Sequence, residues 1–134
     1  MQPQVILIVD DDLAISSLVE AILSDEGYRV VTAHNGAEAL GVLEGCEPDL
    51  ILLDMQMPDM NGWEFATKYR APGRPEKPIV VMTAELNPRA KAADIQAAGC
   101  LAKPFDLEDL VSIVTEFAGP PQRDWTSSDS FAKT

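Results

Sequence analysis

PDLILLDMQMPDMNG, residues Pro48 to Gly62, is the stretch on which the fold turns. Leu50, Ile51, Leu52 and Leu53 run without interruption into Asp54. An apolar run with no polar alternation suits a strand covered on both faces, the situation inside a parallel sheet. The carboxylate and Pro58 then mark where the strand stops and the chain turns.

Other apolar runs repeat the pattern at Val5–Val9, Val30–Ala33, Ile79–Met82 and Cys100–Ala102. Helical spacing lies between them. Ile15, Leu18, Val19, Ile22 and Leu23 keep to one face, with Gly27 as a stop. Residues 35–45, NGAEALGVLEG, predict a second helix and residues 62–70, GWEFATKYR, a third. Residues 88–99, PRAKAADIQAAG, predict a fourth, with Pro88 at its start and Gly99 at its end. Leu107, Leu110, Val114 and Phe117 mark a fifth. Strand followed by helix, five times in 134 residues, predicts one doubly wound α/β unit with right-handed crossovers. The unit spans residues 4–118. Residues 119–134, GPPQRDWTSSDSFAKT, have no periodicity and read as a flexible tail or the stub of a linker.

Composition narrows the function. Apolar residues make up 46% of the chain, enough for a packed core. Ten Lys and Arg against 22 Asp and Glu give a formal charge of −12. Such a surface repels nucleic-acid phosphates and attracts metal cations or basic partners. Cys46 and Cys100 make no disulfide framework and read as reduced thiols. The start, MQPQVILIVDDD, lacks a basic leader segment, and its apolar run is too short for a membrane span. The expectation is a soluble, cytoplasmic protein with no membrane partner.

In a doubly wound sheet, ligands bind beyond the carboxyl ends of the strands. The first strand ends at Asp10, Asp11 and Asp12, the third at Asp54, the fourth at Thr83 and the fifth at Lys103. Converging carboxylates repel one another unless a cation joins them. Oxygen ligands without a His or Cys cluster favour a hard ion such as Mg²⁺. A carboxylate can also serve as a nucleophile and form an aspartyl phosphate. The transferred group then needs a metal, an ammonium and a hydroxyl around it, which Asp10, Asp11, Lys103 and Thr83 supply. Taken singly, each residue has a plainer role: an Asp as helix cap or turn residue, a solvated lysine, a capping threonine. Only Asp12 is read that way, as the cap of the first helix, because the plain account needs coincidences at several strand ends at once. His34, before the second helix, reads as a surface residue away from this rim.

The segments ILIVDDD, PDLILLDMQMPDMNG, PIVVMTA and KPF together resemble the receiver domain of two-component response regulators. The resemblance implies a flavodoxin-like fold: a five-stranded parallel sheet in order 2-1-3-4-5, flanked by five helices. It implies Asp54 as phosphoacceptor, with Lys103 pairing to the phosphoryl group and Thr83 as the switch hydroxyl. It implies Mg²⁺ held by Asp10, Asp11, Asp54 and the backbone carbonyl of Gln56. Gln56 and Glu85 fall where such domains tune phosphoryl lifetime. Pro104 matches a proline that is often cis in these domains. The implied donor is a histidine kinase or phosphotransfer protein, and the output is a change in contacts with a downstream protein. Such a receiver catalyses its own phosphorylation and usually its own dephosphorylation, and is not normally called an enzyme.

Cys100 departs from the pattern, since an aromatic ring usually stands at this switch position. A thiol is too small to swing inward as such a ring does, and the plainer role is a small buried strand residue. The alanine-rich fourth helix offers little apolar area, which fits either weak anchoring or close packing through small side chains. Two alternatives use different chemistry. An aspartyl-nucleophile phosphatase or phosphotransferase would want an acid two residues after Asp54, where Gln56 stands. A flavodoxin-like cofactor binder would want a phosphate-cradling loop after the first strand, where DDDLA stands.

Overall fold

Val5–Val9 (β1), Arg29–Ala33 (β2), Leu50–Asp54 (β3), Ile79–Thr83 (β4) and Gly99–Ala102 (β5) form one parallel sheet in the order β2-β1-β3-β4-β5. The computed structural model describes residues 4–57, 60–70, 77–84 and 97–121. Among these, the helices are Leu13–Glu26 (α1), Gly36–Leu43 (α2), Gly62–Tyr69 (α3) and Leu107–Ala118 (α4). Most of the helix expected over residues 88–99 lies outside the described residues, as do Pro58 and Glu85. Gly99, read from the sequence as the end of that helix, instead opens β5. It pairs with Val80, and the neighbouring Ala98 N–H donates to the Ile79 carbonyl at 2.8 Å. The ladder along β4 extends the strand one residue beyond its apolar run.

The two-sided burial expected of Leu50–Leu53 is present. All positions of β3 are buried. Leu50 and Leu52 join Ile6, Ile8, Val80 and Met82 under α1 and α4, which contribute Val19, Leu23, Leu110 and Val114. Ile51 and Leu53 join Leu7, Val9 and Val81 on the other face, under Ala39 of α2 and Phe65, Ala66 and Tyr69 of α3. Leu18 and Leu107 depart from their expected stripes and stand outside the core, 57% and 54% exposed. No described helix is long and apolar enough to cross a membrane.

Local chemistry sets the helix ends. Asp12 caps α1, its carboxylate accepting from the Ala14 and Ile15 N–H groups at 2.9 and 3.1 Å. Gly27 closes α1 at φ 110°, a left-handed conformation that glycine adopts without a side-chain clash. Asn61 and Glu64 form a reciprocal capping box at α3. At the sheet's amino rim, the Tyr28 hydroxyl donates to the Gly119 carbonyl at 2.7 Å and meets the Thr115 hydroxyl at 3.2 Å. Gln4 donates to the Ala118 carbonyl at 3.2 Å. The end of α4 is therefore fixed at the rim opposite the strand ends discussed below.

Gly62 packs the start of α3 onto the residue after Asp54. A Cβ there would overlap the Met55 sulfur and come within 3.1 Å of the Met55 Cα, where only backbone movement relieves the clash. Gly62→Ala is expected to destabilise the protein by about 1–3 kcal/mol, read as a lower urea midpoint. Gly41→Ala is the contrasting case. Nothing lies within 4 Å of a Cβ at Gly41 in α2. Alanine there should stabilise by roughly 0.5–1 kcal/mol through helix propensity.

Candidate functional site

Register builds the site. Val9 lies level with Leu53, so the next residues, Asp10 and Asp54, end adjacent strands at one height. Asp54 is level with Met82, one residue before Thr83, and Thr83 is level with Ala102, one residue before Lys103. The Lys103 N–H continues that ladder to the Thr83 carbonyl at 2.8 Å. The peptide bond between Lys103 and Pro104 is cis. The expected strand-end residues thus share a single rim.

Asp10, Asp54 and Thr83 are buried there, at 0%, 4% and 0% exposure. The Lys103 ammonium reaches Asp10 Oδ2 at 2.9 Å and Asp54 Oδ1 at 3.5 Å. Asp10 Oδ1 accepts from the Asp12 N–H at 2.9 Å. The Gln56 N–H donates to Asp54 Oδ1 at 3.2 Å, which brings the loop after β3 against the carboxylate. The side chain of Gln56 itself is exposed. Asp11 is exposed, yet it, Asp10 and Asp54 can each present an oxygen within 4.8 Å of the others. Three carboxylates offering oxygen at this spacing fit a hard divalent cation, and no nitrogen or sulfur ligand belongs to the group.

Burial pushes the Asp54 carboxyl up to about 6. The Gln56 N–H and the Lys103 ammonium oppose that rise, while the Asp10 charge adds to it. For Lys103, burial acts to lower the ammonium, but its bond to Asp10 and the charges of Asp54 and Asp10 outweigh burial and leave it raised.

The Asp54 shift has a consequence for stability. In the unfolded chain an aspartate titrates near about 3.9, so the folded state binds this proton more tightly. Without a cation, ionised Asp54 therefore opposes folding above pH 6, and the opposition fades as pH falls from about 6 towards about 4. Asp54→Asn should raise the metal-free melting temperature at pH 7.5. The gain corresponds to about 1–2 kcal/mol once solvent screening at the rim is included, and shrinks towards pH 4.5. Differential scanning calorimetry with a chelator present measures it.

Cys100 lies on β5 opposite Val81 and is half-buried against the core on the α2 and α3 face, less enclosed than a fully buried strand residue. His34 directly follows β2 and so stands at the sheet's carboxyl edge, not away from it. Its Nδ1 lies 3.3 Å from Glu38 and its side chain is 44% exposed. Ser16 was not singled out in the sequence. It is buried in α1 and its hydroxyl donates to the Asp10 carbonyl at 3.2 Å. Its signal was a small polar residue one turn after the Asp12 cap, directed at the strand end. The α3 capping box was likewise passed over, its signal being Asn61 and Glu64 three residues apart.

Known proteins share this architecture. The family model described as the response regulator receiver domain matches residues 6–115. The response regulator MprA of Mycobacterium tuberculosis H37Rv is 39% identical over 109 residues, covering 80% of this chain and 47% of that protein. MprA of Mycobacterium avium has the same identity and coverage. This chain thus spans about half the length of the curated relatives it matches. Among solved structures, the chemotaxis response regulator CheY4 of Vibrio cholerae is 35% identical with a TM-score of 0.79, covering 85% of this chain and 98% of that one. The response regulator TrrA of Thermotoga maritima, solved in complex with Mg²⁺-BeF, is 32% identical with a TM-score of 0.76, covering 85% of this chain and 98% of that one. By sequence, fold and strand-end geometry together, the chain belongs to the response regulator receiver domain family.

Proposed function

We propose that Asp54 accepts a phosphoryl group from the phosphohistidine of a histidine kinase or phosphotransfer protein, and that the modified domain switches its contacts with a downstream protein. The observation carrying this reading is the Lys103 ammonium seated between Asp10 and Asp54 at a buried rim. One oxygen of the Asp54 carboxylate attacks phosphorus. The bond from phosphorus to the imidazole nitrogen breaks, and the imidazole keeps the electron pair and takes a proton. Lys103 turns to the phosphoryl oxygens, and the Thr83 hydroxyl donates to another of them. Asp10, Asp11, Asp54 and the Gln56 carbonyl would hold Mg²⁺, which when bound supplies positive charge for the carboxylates and the transferred group.

Gln56 and Glu85 flank the site in sequence and would set how long the acyl phosphate survives water. Cys100 occupies the switch position without a ring, so the signal leaves by some path other than an aromatic swing. The domain acts on itself, as a self-phosphorylating switch in the cytoplasm, and its charge of −12 suits a basic protein partner over nucleic acid. The phosphatase reading gains nothing, because Gln56 cannot serve as the acid it requires.

Phosphoramidate, whose phosphorus–nitrogen bond resembles that of phosphohistidine, tests the reading. The wild-type chain with Mg²⁺ should gain one phosphoryl group in its intact mass and lose it again after the donor is removed. A chain that gains none over hours would end the proposal.

A further inference from the structure

Met55, Met57 and Met60 lie between Asp54 and the start of α3. Met55 and Met57 are buried, as is Met82 on β4, and Met60 alone of the described methionines is partly open. Its side chain lies along Gly36, the first residue of α2. A Cβ built on that glycine would come within 2.5 Å of the Met60 sulfur and 2.8 Å of its Cγ. Gly36 is itself buried. The Met60 thioether therefore pins the loop between β3 and α3 to the start of α2. Other bonds tie that loop to the strand end. The Gly62 N–H donates to the Met55 carbonyl at 3.4 Å, and the Gln56 N–H donates to Asp54 Oδ1 at 3.2 Å.

We propose that the Met60 thioether is a site of reversible oxidation by peroxide, and that its sulfoxide frees the loop after Asp54 from α2. A sulfur lone pair attacks one oxygen of hydrogen peroxide. The oxygen–oxygen bond breaks, and the second oxygen leaves as water with both protons. Sulfur gives up two electrons and keeps one oxygen. A dithiol reverses the step, becoming a disulfide while the oxygen leaves as water. The thioether suits an apolar contact, whereas an enclosed sulfoxide oxygen without a donor costs free energy. No space for that oxygen exists between the sulfur and Gly36. The oxidised side chain therefore turns to water, uncovers Gly36 and gives up the loop's apolar anchor. Burial shields Met55, Met57 and Met82 from the oxidant, which makes the site selective. The consequence for phosphoryl uptake rests on the reading under Proposed function, and the modification itself does not.

The test exposes folded wild type, Met60→Leu and Met60→Gln to dilute hydrogen peroxide, followed by peptide mass mapping, urea denaturation and phosphoryl uptake from phosphoramidate with Mg²⁺. Leucine keeps the volume and the apolar contact without the sulfur, and glutamine places a polar group where the sulfoxide would form. Met1, Cys46 and Cys100 are present in every chain, so the variants subtract their oxidation. Met60 should gain oxygen roughly fivefold or more faster than Met55, Met57 or Met82. The wild-type urea midpoint should fall by roughly 0.5 M on oxidation and return after treatment with a methionine sulfoxide reductase and dithiothreitol. Met60→Leu should not shift, and untreated Met60→Gln should already sit at the lower midpoint. Oxidised wild type should take up phosphoryl groups about threefold or more slower than the reduced chain. Oxidation of Met60 no faster than that of the buried methionines, or an equal midpoint shift in Met60→Leu, would overturn the site. A lowered midpoint with unchanged uptake would overturn its hold on the acceptor loop. Should no chain, oxidised or reduced, take up a phosphoryl group, the reading under Proposed function falls, while the mass map and the midpoint still decide the Met60 site.

Discussion

Chelating Mg²⁺ should lower the rate at which the wild-type chain takes a phosphoryl group from phosphoramidate by roughly 10³-fold. A bound cation that stabilises developing charge is worth several kcal/mol, and about 1.4 kcal/mol corresponds to a factor of ten. The loss should be large because, among the described residues, Lys103 supplies the one ammonium seated against the carboxylates at this rim. Asp10 and Asp54 are buried, Asp11 lies within reach of both, and Lys103 already serves Asp10. Asp10→Asn should reproduce most of the loss at limiting Mg²⁺ and recover part of it as Mg²⁺ is raised, since the variant keeps Asp11 and Asp54 as ligands. Time courses of intact mass against Mg²⁺ concentration measure both effects. A wild-type rate indifferent to chelation would mean that the carboxylates do not work through a metal.

The second large effect concerns the strand that carries Asp54. Leu52→Ala and Leu53→Ala should each destabilise the protein by about 2–5 kcal/mol, lowering the melting temperature by roughly 10 °C. Successive residues on a strand point to opposite faces, so on a half-exposed strand one of these changes would be nearly neutral. Here Leu52 is enclosed under α1 and α4, and Leu53 under α2 and α3, both at 0% exposure. Comparable losses from adjacent positions are therefore the signature of a strand covered on both sides. Thermal melts of the variants with Mg²⁺ withheld keep the comparison free of ligand stabilisation.

That two-sided burial is also why the fold was legible in the sequence. Uninterrupted Leu50–Leu53, Val5–Val9 and Ile79–Met82 have one comfortable environment, the interior of a parallel sheet. Once the sheet is parallel, residues that end its strands must share a rim, and Asp10, Asp54, Thr83 and Lys103 were placed by topology alone. What escaped is of a different kind. A lysine on a four-carbon stem can choose between carboxylates a few ångströms apart, and nothing in its sequence position says that it prefers Asp10. Leu18 and Leu107 obey helical spacing yet stand in solvent, because spacing fixes a face and not how far the neighbouring element extends. Gly99 resembled a helix stop because glycine serves both as a stop and at a strand start, and only the pairing with Val80 distinguishes them. Ser16 was hidden because its value depends on the Asp10 carbonyl lying above it.

Asp54 is the proposed acceptor of the phosphoryl group. Wild type and Asp54→Asn, incubated side by side with Mg²⁺ and phosphoramidate and weighed as intact proteins, test it most directly. Asparagine keeps the shape of the side chain and, with Lys103 still paired to Asp10, should leave the fold in place. The wild type is predicted to gain one phosphoryl group and the variant none. An adduct of equal yield on Asp54→Asn would place the acceptor elsewhere and contradict the account.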